Sequence, residues 1–171
     1  MPNATLVIAS KLRRPGEFVD YYHSLLAQIK NSPCADHISV VTGELPHDQI
    51  DTLISAADVV VLPYEQGAQS GSLANALTFG RAVMTSNLPA FEAIVNRAGA
   101  GIVARDRDEF VQAITRILLD TRCRKIFQAQ AVRHARIASW DLVSQMHLQT
   151  YQYAVRDGPR NRIKHPVTTK S

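Results

Sequence analysis

Cysteine is scarce in this chain. There are two in 171 residues, Cys34 and Cys123, far apart and with no metal or redox spacing. That excludes a disulfide scaffold, leaves one disulfide open and favours a reducing compartment. Long apolar runs are also missing. Ala56 to Pro63, broken by Asp58, is among the longest and is far too short to span a bilayer. The opening Met-Pro-Asn-Ala has neither the charged n-region nor the apolar h-region of a signal peptide, so a cytoplasmic protein is expected. The six histidines are scattered without a His-x-x-x-His or cysteine partner, and no metal site is expected. No Gly-Lys-Ser/Thr phosphate loop occurs, and no Gly-x-Gly-x-x-Gly follows the first apolar run, which counts against ATPase and NAD chemistry. Excess charge of one sign is confined to the end. The chain carries 19 Lys and Arg against 15 Asp and Glu, a net +4, and Arg156 to Ser171 alone holds five bases and one acid. The body is therefore neutral and lacks the basic surplus of a nucleic-acid-gripping domain. A tail leaning on anionic lipid or RNA stays open.

What is present reads as one globular domain over residues 1–155 with a basic tail, 156–171, expected to be disordered. Compact apolar runs lie at Thr5 to Ser10, His37 to Thr42, Ala57 to Pro63, Ala82 to Asn87 and Gly101 to Ala104. Runs that are apolar throughout, with no alternation, predict strands covered on both faces, as in parallel sheets. Helical periods separate them. Phe18, Tyr21, Tyr22, Leu25, Leu26 and Ile29 make one stripe, and Ile50, Leu53 and Ile54 another. The last third predicts three helices, 108–119, 122–138 and 140–155, the last capped by Ser139. In the second of these, Ile126, Phe127 and Ala129 are expected to pack inward, and Trp140 to anchor the third in the core or at a hinge. The alternation predicts an α/β fold, a three-layer Rossmann-like parallel sheet of about five strands with C-terminal helices.

In such sheets ligands bind at the carboxyl ends of the strands. The third run ends in Tyr64-Glu65-Gln66-Gly67-Ala68-Gln69-Ser70-Gly71-Ser72, after which Leu73, Ala76, Leu77 and Phe79 give a helix closed by Gly80. Free N–H groups at a helix start favour phosphate. Gly71 allows close backbone approach, and the Ser70 and Ser72 hydroxyls can cap the helix or bind phosphate oxygens. A plain N-cap and turn would look the same.

The stretch from Ala56 to Glu92, AADVVVLPYEQGAQSGSLANALTFGRAVMTSNLPAFE, resembles the nucleotide-sugar-binding domain of retaining GT-B glycosyltransferases of the glycogen-synthase-like class. The shared features are a strand ending in Leu-Pro, a loop bearing Glu or Gly, a helix ending Ala-Leu-x-x-Gly, and a further strand. The resemblance extends more loosely over residues 5–155. It implies half of a GT-B fold, binding a UDP- or GDP-sugar for hexosyl transfer with retention and without metal or other cofactor. Gly71, Ser72 and Leu73 would then offer N–H groups to the diphosphate, and Glu65, Gln66 and Gly67 would face the sugar. The family's pair of glutamates eight residues apart falls on Gly67 and Asn75, so Asn75 could hold a ribose hydroxyl only as a neutral group. Ala82 stands where the family has proline. By element order the first run matches the family's second strand. Its phosphate-clamping Arg and Lys would be absent, and Lys11, Arg13 and Arg14 would belong to a loop. An acceptor domain would be missing as well. A split enzyme, a truncated reading frame and a remnant all fit, as does a non-catalytic nucleotide-binding or partner subunit that docks on an acceptor-domain protein or on itself.

Three further features are weighed on their residues. Asp106-Arg107-Asp108 with Glu109 reads as a capping box opening a helix rather than a metal motif. Glu92 fits equally a pocket acid or an acid favouring a helix N-terminus. Arg122, Arg124, Lys125, Arg133 and Arg136 make a basic helix, read as a solvated face or as one drawn to an anionic membrane carrying a lipid-linked acceptor.

Overall fold

A computed structural model describes residues 4–10, 19–67, 69–137 and 139–157. The chain divides into two compact units, Met1–Leu53 and Ile54–Ser171. Of the basic tail, 156–171, residues 156 and 157 are helical and 158–171 lie outside the described residues, as does the cluster Lys11, Arg13 and Arg14.

The first unit carries β1 (Leu6–Ser10), α1 (Val19–Lys30), a 3-10 turn (Ala35–His37) and β2 (Ile38–Thr42). The two strands pair in parallel from Leu6↔Ile38 to Ser10↔Thr42. Tyr22, Leu25, Leu26 and Ile29 of α1 are half-buried together, as their spacing predicts, whereas Tyr21 is exposed and Phe18 lies outside the described residues. Leu6 and Val7 leave nearly half their surface in solvent. A following helix, α2 (His47–Ala56), runs across the boundary between the units.

The second unit holds β3 (Val59–Leu62), α3 (Gly71–Thr78), β4 (Ala82–Ser86), α4 (Pro89–Ala98), β5 (Gly101–Ala104), α5 (Arg107–Leu119), α6 (Thr121–Ile137) and α7 (Trp140–Asp157). All five expected strands therefore form, in parallel, as a pair and a triple ordered β3-β4-β5. Strand β4 is buried along 82–85. Ala82 and Met84 join Ala113 and Ile117 of α5, with Val59, Val61, Ile102 and Phe127 packed around them. Their neighbours Val83 and Thr85 point to the other face and are equally enclosed, so β4 is covered on both sides. Gly101 faces Val83 in the register, and a Cβ there would fall 1.9 Å from the Val83 carbonyl oxygen. Only glycine lets these two strands meet.

Helix α6 packs against α3, α4, α5 and β4. Cys123 and Ala131 are buried and Phe127 sits between them at four-residue spacing. The expected inward packing of Ile126 and Ala129 is wrong, because the small residues of the Cys123–Phe127–Ala131 stripe set the helix phase and turn both outward. Trp140 does not anchor α7 in a core either. It is 87% exposed at the first helical position. The capping signals hold. Ser139 Oγ accepts from Leu142 N, Asp106 Oδ1 accepts from Glu109 N at 2.8 Å, and Glu109 Oε2 accepts in return from Arg105 N at 2.8 Å. Neither cysteine is in a disulfide: Cys34 is exposed and Cys123 buried. Among the described residues no helix is long and apolar enough to cross a membrane.

Candidate functional site

Parallel strands present their carboxyl ends together, so the segments after β3, β4 and β5 open on the same edge of the three-stranded sheet. The segment after β3 carries the residues singled out above. Ser70 is the N-cap of α3: its backbone is extended, and its hydroxyl oxygen accepts from Leu73 N at 3.1 Å. The Leu73 N–H is therefore taken, and its side chain is buried in the core. Gly71 and Ser72, both exposed, keep N–H groups with no described partner at the positive end of the helix. The space around Gly71 is open, with nothing within 4 Å of the position a Cβ would take.

The other end of α3 is closed by a Schellman motif. Arg81 N donates to Ala76 O at 2.9 Å, Gly80 N donates to Leu77 O at 3.0 Å, and Gly80 takes φ +66°. A Cβ on Gly80 would meet Val132 of α6 at 2.7 Å. Both ends of the helix are thus fixed, one by a hydroxyl and the other by a left-handed glycine packed close to Val132.

A staple from the end of β4 and the first turn of α4 holds the loop itself. Ser86 Oγ donates to the Tyr64 carbonyl, and the Tyr64 ring meets Phe91 edge-on with centroids 5.5 Å apart. Gly67, at φ +151°, lies over the same ring; a Cβ would be 3.7 Å from Phe91 Cζ. Phe91 is buried in the first turn of α4, behind Pro89 at the helix start. Sequence reading passed over Phe91 and Ser86. The available signal was a large aromatic just after a strand end and a proline, where it can reach the neighbouring loop.

Glu65 and Gln66 are exposed in this loop, Ala68 lies outside the described residues, and Asn75 is half-buried one turn into α3. Glu92 is exposed in the first turn of α4, which suits an acid at a helix N-terminus. Among the described residues no three His, Cys, Asp or Glu side chains converge as metal ligands. What the helix start offers chemically is neutral, two backbone N–H groups with no described partner, hydroxyls at 70 and 72 and an amide at 75, and the loop before it adds the Glu65 carboxylate.

Residues 2–120 match the family model described as Glycosyl transferases group 1. The chain is 33% identical over 106 residues, 61% of its length, to the GDP-mannose:glycolipid 4-beta-D-mannosyltransferase of Xanthomonas campestris pv. campestris, of which it covers 30%. Its fold is similar to that of Anabaena HepE, solved in complex with UDP-glucose, with a TM-score of 0.73 and 18% identity over 89% of this chain and 42% of that one. A sucrose-phosphate synthase from Thermosynechococcus elongatus gives a TM-score of 0.71 and 19% identity over 88% of this chain and 38% of the synthase. At those identities the two structures show a shared fold alone. The chain spans less than half the length of each of these proteins.

Proposed function

The chain belongs to the Glycosyl transferases group 1 family, and from that premise we propose that it is a donor-binding domain for hexosyl transfer, with retention, from a UDP- or GDP-sugar. One observation carries the reading. After β3, capping by Ser70 takes up the Leu73 N–H and leaves those of Gly71 and Ser72 with no described partner, with open space beside Gly71. Such groups suit a diphosphate and would stabilise the negative charge that grows on it as the glycosidic bond breaks, without reorganising. Glu65, Gln66 and Gly67 would face the sugar, and Asn75 a donor hydroxyl. No metal enters this scheme, because the backbone dipoles take the charge. The protein would act in the cytoplasm, joined to an acceptor-binding part, at a membrane carrying a lipid-linked acceptor.

A partner-subunit reading has its own support. Seven large apolar residues of α7, from Trp140 to Val155, are exposed, and no described side chain of that helix is buried. Apolar surface on that scale is usually covered. The covering body would be an acceptor-domain protein or a second copy of the chain.

Calorimetric titration with UDP, GDP and ADP separates the two. We expect one of them to bind the wild type and to bind Gly71→Val at least about 10-fold more weakly, since a branched side chain stands between the phosphate and a charge-assisted N–H bond. Absence of binding by all three would refute the donor reading and leave the partner subunit.

A further inference from the structure

We propose that the outward face of α6 is a docking surface for an anionic lipid bilayer. This deepens the transfer reading by giving its membrane contact a place, and it rests on that reading only for the lipid-linked acceptor.

Helix α6 contains no acidic residue. Its buried stripe, Cys123, Phe127 and Ala131, faces the core, so the opposite arc presents Arg122, Lys125, Arg133 and Arg136, all exposed. None of these four is in an ion pair with a described residue. The contrast with Arg124 is informative. That side chain turns inward, donates to the carbonyls of Ile117 and Leu118 at 3.1 and 2.8 Å, and approaches Asp58 at 3.4 Å. One base of the helix thus serves the fold, and the other four have no ion-pair partner among the described residues. The nearest acid in sequence is Asp120, just before the helix, whose carboxylate accepts from Cys123 N.

Ile126 and Ile137 stand on the same arc, 51% and 61% exposed. Charges alone would suit any polyanion. Bases interleaved with branched aliphatic side chains suit a surface with phosphates at headgroup depth and hydrocarbon beneath. A nucleic acid backbone would use the bases and leave the isoleucines in water. The net +4 of the chain sits in the tail, so this face is a local feature of a neutral body and no part of a general positive field.

The test is co-sedimentation of the full chain with vesicles, without nucleotide, so that a failed donor site cannot affect it. Vesicles of phosphatidylcholine are compared with vesicles containing about one-third phosphatidylglycerol. Each base near an anionic surface is worth about 5-fold in binding. Arg133→Glu with Arg136→Glu should therefore weaken binding to anionic vesicles by about 25-fold or more, at an unchanged melting temperature. Arg122→Gln with Lys125→Gln, the milder pair, should weaken it in the same direction. Ile126→Ser with Ile137→Ser should cost about a further 10-fold. Neutralising the tail bases Arg160, Arg162, Lys164 and Lys170 with glutamine should leave most of the binding in place. The proposal is overturned if the chain ignores anionic vesicles, if the α6 charge variants bind as well as wild type, or if the tail substitutions alone abolish binding. Insensitivity to the isoleucine pair, with equal binding of an oligonucleotide, would overturn it in favour of nucleic acid.

Discussion

Replacing Gly71 with alanine separates two roles that a glycine can have at the start of a helix. Its backbone is outside the left-handed region and no atom lies within 4 Å of the position of a Cβ. The fold therefore has no need of glycine here, and alanine should stabilise it by about 0.4–1 kcal/mol by restricting the unfolded chain. For a chain of this size that raises the melting temperature by about 1–4 °C. The ligand has the opposite preference. If a diphosphate lies against the Gly71 and Ser72 N–H groups, a methyl group holds it off and weakens a charge-assisted hydrogen bond. Such a bond is worth about 1.5–3 kcal/mol, so its full loss would weaken binding roughly 10- to 150-fold. Alanine should fall at the lower end of that range and valine at the upper. Scanning calorimetry reads the first effect and isothermal titration the second, on the same protein. A higher melting temperature with an unchanged Kd would refute the placement of phosphate at this helix start. A lower melting temperature would refute the argument from open space.

Ser70→Ala removes the oxygen that accepts from Leu73 N, and should cost about 1 kcal/mol, seen as a lower urea midpoint at constant slope. Gly101→Ala puts a methyl group on the Val83 carbonyl and should cost about 3 kcal/mol or more; near-normal stability by denaturant titration would show that β4 and β5 are not held at this distance. Arg124→Ala strips two carbonyls at the end of α5 and should cost about 1.5–3 kcal/mol. Lysine should recover only part of that, because a single ammonium group does not reproduce the guanidinium fork. Raising the salt should change little, since the exposed Asp58 contact is the minor share.

Much of the second unit was legible in the sequence for a simple reason. A short strand covered on both faces has to be apolar throughout, and ADVVVLP and AVMTSN have few other uses. Caps were equally direct, because Ser70, Asp106 with Glu109, Ser139 and Gly80 each satisfy a backbone group whose position follows from the helix end. Helix phase was less accessible. Periodicity groups residues on a face, but the partner decides which face is inside, and α6 meets its neighbours through Cys123 and Ala131 while Ile126 looks outward. The size of a side chain misled in the same way at Trp140. At the candidate site the helix start was visible as Ser-Gly-Ser. The staple from Ser86 and Phe91 to the Tyr64 loop was not, because it joins two segments through tertiary contact alone.

The sequential order β3-β4-β5 bears on how the chain leaves the ribosome. Each strand in this sheet adds beside the one made just before it, and paired residues lie about 20 positions apart. Every loop to be closed is short, so contact order is low and the three strands with α3 and α4 can assemble while later residues are still being made. Helix α6 is made after that sheet, and by docking on α3, α4 and α5 together it ties helices that formed separately to one another.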